Sequence, residues 1–108
     1  MLVLKRRPGE SLVLFETATG NRLLDITYSG WTDDGIIVET VKPDGERHAF
    51  EMERGRVINI KDQIGRDLIV IQYNYQRGRR NQAAFCIFGA RKEVTVLRGE
   101  IAGRKDKQ

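Results

Sequence analysis

Residues 1–14 read MLVLKRRPGESLVL, and the fold turns on how they are read. Leu2, Val3 and Leu4 make an aliphatic run at the start of the chain, and Leu12, Val13 and Leu14 make a second. Between them stand Lys5, Arg6 and Arg7, then Pro8 and Gly9. Short apolar runs bounded by turn residues are strand signals. Proline pre-sets φ for a turn, and glycine accepts the positive φ that closes it. The stretch therefore predicts two strands, near 2–6 and 11–15, with a basic step between them. A strand committed to burial at once, with cations directly behind it, predicts a strand that is itself part of a working surface.

The same signals continue along the chain. Strands are predicted at 23–29 (LLDITYS) and 35–41 (GIIVETV), joined through Trp31, Thr32, Asp33 and Asp34. The turn VKPDGER leads to 47–52 (RHAFEM), and Gly55 precedes a short strand at 57–60 (VINI). A longer strand is predicted at 67–75 (DLIVIQYNY), where alternation puts Ile69, Ile71, Tyr73 and Tyr75 on one face. After the tip RGRRN come 82–88 (QAAFCIF) and 92–97 (KEVTVL). The remainder, RGEIAGRKDKQ, predicts a short helix, because Gly99 and Gly103 each cost it about 1 kcal/mol relative to alanine. The fold class is all-β, mainly antiparallel, in one domain. LLDITYSGWTDDGIIVET and LIVIQYNYQRGRRNQAAFCIF share a strand–polar tip–strand pattern. Matching hairpins are common in all-β chains, so the likeness alone does not establish a duplication.

A chain of 108 residues buries roughly 65% of its unfolded surface, which gives a modest core that a partner copy would help. No run approaches the ~18 apolar residues of a membrane span, and the early cations do not fit a signal peptide. The single Cys86 offers no internal disulfide, so a cytoplasmic location is expected. The net charge of +4 is unevenly placed. Residues 1–14 hold three cations against one acid, 15–66 seven against ten, and 67–108 nine against four. Two basic ends around an acidic middle predict a polyanion met by the ends.

Catalytic chemistry finds little support. His48 is the only histidine and has no Cys or second His at ligand spacing, so no metal is expected. Cys86 lies in an apolar run and reads as a small packed hydrophobe. Asp33, Asp34, Asp44 and Glu46 fall at turns, where backbone geometry favours them. No glycine-rich loop leads into a helix to hold a phosphate. Neither an enzyme nor a cofactor is expected. DITYSG at 25–30 resembles the second half of the PilZ signature for cyclic dinucleotides, but the paired arginines of the first half are missing.

Arginines are better placed for nucleic acid. Arg6 and Arg7 follow the first strand, Arg77, Arg79 and Arg80 sit at a hairpin tip, and Arg91, Lys92 and Arg98 flank the last strand. The planar guanidinium suits phosphates and base edges and stacks on unpaired bases. Read together, the two ends carry a resemblance. MLVLKRRPGESLVL is similar to the opening of the carbon storage regulator (CsrA/RsmA) family of translational regulators, and FGARKEVTVLRGEI resembles that family's closing strand. DLIVIQYNYQRGRRNQAAFCIF can be laid on its central hairpin.

The resemblance implies a homodimer in which the first and last strands interleave with those of the partner. It implies RNA as the ligand, through GGA elements in mRNA leaders or small RNAs, with an effect on translation. The expected RNA-binding residues are Leu4, Lys5, Arg6 and Arg7 of one chain with Val96, Leu97 and Arg98 of the other, supported by Ile101. Arg77, Arg79 and Arg80 would add contacts. The chain departs from the family in an inserted β-rich segment at about 16–66, in Arg91 where proline is usual, and in Leu97 where histidine is common. Two other classes fit the same residues: a β-rich protein-interaction module without RNA binding, and the PilZ-like cyclic-dinucleotide module.

Overall fold

The computed structural model of the chain describes residues 2–61, 65, 67–75, 82–89 and 93–101. Its strands are β1 (Leu2–Arg6), β2 (Ser11–Glu16), β3 (Arg22–Trp31), β4 (Gly35–Val41), β5 (Arg47–Glu53), β6 (Ile58–Lys61), β7 (Asp67–Tyr75), β8 (Ala83–Ile87) and β9 (Val94–Arg98). They form two antiparallel sheets, one of four strands in the order β1-β8-β7-β6 and one of five in the order β5-β4-β3-β2-β9. The fold is thus mostly antiparallel β-structure. A helical turn at 99–101 follows β9, within the tail expected to form a short helix.

The strands at 35–41 and 67–75 lie where the sequence puts them. β3 runs on to Trp31 because its hairpin closes tightly. The Thr32 N–H donates to the Gly35 carbonyl at 2.8 Å, and the Gly35 N–H donates to Thr32 Oγ1 at 3.1 Å. Gly35 is required there, since a Cβ would fall onto the Met52 carbonyl of β5.

Strand alternation builds one core shared by both sheets. Leu12, Leu14, Leu24, Ile26, Tyr28 and Val38 face it from the five-stranded sheet, and Leu4, Ile69, Ile71, Tyr73 and Phe85 from the four-stranded sheet. Phe85 joins the layers, edge-on to Tyr28 at 6.3 Å and tilted against Tyr73 at 6.4 Å. Tyr73 therefore packs in the core, as its parity with Ile69 and Ile71 indicates. A smaller cluster of Val13, Phe15 and Leu97 lies on the other face of β2, with the Arg22 guanidinium over the Phe15 ring.

The end strands pair inside the chain: β1 with β8, and β9 with β2. Among the described residues each is the outer strand of its sheet, so no strand there pairs with the backbone groups on its other side. Residues 16–61 supply β3 to β6, which are integral strands of the two sheets. Among the described residues, no helix is long and apolar enough to cross a membrane.

Candidate nucleic-acid interface

The site starts from the turn after β1. The Glu10 N–H donates to the Arg7 carbonyl at 2.9 Å, and the Arg7 N–H donates to Glu10 Oε1 at 2.7 Å. Gly9, at a φ of 91°, turns its N–H onto the Tyr28 carbonyl of β3 at 2.7 Å. This tight, tethered turn lets the chain leave one sheet at Arg6 and enter the other at Ser11. It fixes the basic triplet beside the start of β2.

β9 reaches the same place from the far end of the sequence. Its register against β2 sets Val96 opposite Leu14 and Arg98 opposite Leu12, so Val94 and Val96 pack inward while Leu97 turns to the outer cluster. Gly99 then passes so close to Ser11 that a Cβ would overlap the serine hydroxyl. Thr95 and Thr17 share a hydroxyl–hydroxyl bond of 2.6 Å further along.

Arg6 joins the two ends. Its guanidinium donates to both Glu100 oxygens, at 2.8 and 3.1 Å, and its Nε donates to the Lys5 carbonyl at 2.7 Å. Paired planar geometry of this kind is the strong form of an arginine–carboxylate contact. The arginine is 5% exposed although its partner is open to solvent. The hydrogen bonds from Arg6 hold the Glu100 carboxyl down to about 2, with the charges of Arg6 and Arg98 adding to the effect.

The expected residues therefore divide. Leu4 is a core side chain, and Arg6 is a buried structural cation rather than a free one. Lys5, Arg7 and Arg98 are exposed cations around the Arg6–Glu100 pair. Val96 is half-buried against the main core, Leu97 is half-buried on the outer face, and Ile101 is exposed in the helical turn. Arg77, Arg79 and Arg80 lie outside the described residues, as do Arg91 and Lys92. Glu100 is the residue that sequence reasoning missed. An acid opening a helical turn is ordinary, and nothing local ties it to an arginine near the other terminus.

The features weighed for other chemistry are also in view. His48 is exposed and bonded to Glu46 at 3.1 Å. Asp25 of the DITYSG stretch is held by Arg22 at 2.8 Å, and its Tyr28 is buried in the core. Among the described residues, no cluster of three or more His, Cys, Asp or Glu is arranged to hold a metal. At the β1–β9 edge lie three exposed cations, Lys5, Arg7 and Arg98, on or beside two strands that are each outermost in their sheets among the described residues. Comparison with known proteins finds no matching family model, curated protein or solved structure.

Proposed function

We propose that the β1–β9 edge binds single-stranded RNA, and that the protein is a post-transcriptional regulator recognising GGA-type elements in mRNA leaders or small RNAs. One observation carries this reading. The two stretches that resemble the carbon storage regulator family lie at opposite ends of the sequence, and the Arg6–Glu100 pair joins the end of β1 to the residues just after β9. Lys5, Arg7 and Arg98 give that edge positive charge for phosphates. The free backbone groups of β1 and β9 give it hydrogen bonds for base edges. Unpaired RNA bases are read through such edges and through stacking on guanidinium planes.

The test is a gel-shift titration against a hairpin carrying GGA in its loop and against a CCA control. Three phosphate contacts predict log K falling with log salt at a slope near −2, from roughly −0.7 per contact on a single strand. Equal and salt-insensitive affinity for both hairpins would reject the proposal. A second reading, a protein-interaction module, draws on Leu2 and Val3, each 42% exposed on an edge strand. A peptide partner adding a strand there would bind with little dependence on salt.

A further inference from the structure

The two sheets repeat one arrangement. In the first, β2, β3 and β4 form a meander, and β5 pairs with the outer side of β4. In the second, β6, β7 and β8 form a meander, and β1 pairs with the outer side of β8. Exchanging β1–β4 with β5–β8 maps each set of pairings onto the other.

The match extends to single residues. Leu12 opposite Ile26 corresponds to Ile58 opposite Ile71, and Leu14 opposite Leu24 to Ile60 opposite Ile69. One step further both pairs slip, skipping Leu23 in β3 and Leu68 in β7. Tyr28 faces Val38 as Tyr73 faces Phe85. Leu4 opposite Phe85 corresponds to Phe50 opposite Val38. The turns agree as well. Gly9 and Gly55 both have positive φ, and they donate to the Tyr28 and Tyr73 carbonyls respectively. Gly20 and Gly65 mark the next turn in each half. Two unrelated meanders would not be expected to share a register, a slip and a tethering bond.

We propose that residues 2–41 and 47–87 are two copies of one four-stranded unit, folded on each other about a pseudo-two-fold axis. One chain is then the complete assembly. The copies supply each other's edge strands, which is why β1 and β5 cross to the opposite sheet. Among the described residues β9 has no counterpart. It closes the outer side of β2, whereas among the described residues the equivalent side of β6 carries no strand and borders a groove of about 380 Å³ lined by His48, Phe50, Ile58 and Ile60. The buried arginine is also unmatched, since Met52 holds the register position of Arg6 in the second copy. The chain thus has one complete edge, and on the RNA reading above it binds one RNA.

Cys86 supplies the test, because it stands directly opposite Val3 in the β1–β8 pair. Val3 is exposed, so Val3→Cys leaves the core intact, and circular dichroism checks that it does. Oxidation of dilute protein is expected to give a disulfide within one chain, and light scattering of the wild type a mass of 12.4 kDa. A disulfide joining two chains, two thiols left free after oxidation, or twice that mass would overturn the proposal. Titration with the GGA hairpin is expected to saturate at one RNA per chain, and one RNA per two chains or two per chain would overturn the single edge. Absence of binding would remove the RNA reading alone, since the disulfide and the mass still decide the assembly.

Discussion

A guanidinium withdrawn from water needs its donors occupied, and Arg6 finds Glu100, the Lys5 carbonyl and, at 3.5 Å, the Ser11 carbonyl. Removing one partner of a buried charge costs more than replacing the charge by a packed apolar group. Glu100→Gln is therefore expected to lower Tm more than Arg6→Met, the residue that the second copy carries at this position. Thermal melts of the two variants check the order. The pair also gives stability a pH dependence. The Glu100 carboxyl is lowered from 4.5 to about 2, so its contribution is full above the ordinary value and is lost as pH falls toward 2. Wild type should lose stability across that window relative to its own value at pH 6, and Glu100→Gln should lose less. Arg98 has a different role, exposed at the end of β9. Arg98→Ala should leave the fold unchanged and weaken the GGA hairpin roughly tenfold, from about 1–3 kcal/mol for a lost bidentate base contact. Equal affinity of the two folded proteins would remove Arg98 from the site.

At the scale of elements, close approach explains more than propensity does. The β3–β4 hairpin lies against β5 so tightly that Gly35 has no room for a methyl group, and the obstacle is the Met52 backbone carbonyl. Backbone cannot swing aside as a side-chain tip can. Gly35→Ala should destabilise the protein by about 1–3 kcal/mol, the usual cost of overpacking. Urea unfolding measures it, and an unchanged midpoint would show that β5 can move away. The tight turn at Gly9 is the element that sends β1 and β2 into different sheets. Its bond to Tyr28 holds that crossing in place.

The whole molecule rests on a core to which both sheets contribute, and Phe85 is the side chain common to its central aromatic contacts. It is 1% exposed. Phe85→Ala should cost about 3–5 kcal/mol, as buried aromatic truncations do. Against a total stability of ~5–15 kcal/mol, that is enough to depress the melting transition strongly. A small shift in Tm would mean that the sheets hold together without this contact. The internal pairing of β1 and β9 has a further consequence at this scale. The inner sides of both end strands are covered within the chain, and among the described residues no strand pairs with their outer sides.

The sequence by itself determined the β class, because apolar alternation with period two and glycine-marked turns are local properties of the chain. It located β4 and β7 to the residue, put Tyr73 in the core, and marked both basic ends as one candidate surface. Local patterns carry no information about which strands become neighbours. Only the tertiary structure paired β1 with β8 and β9 with β2, since that choice depends on contacts between residues far apart in the chain. It also decided which cations are free. Arg6 and Arg7 are adjacent and alike in sequence, yet one is buried against a carboxylate that follows the last strand and the other faces water. The hairpin likeness visible in the sequence became a repeat only when register and turn bonds could be compared.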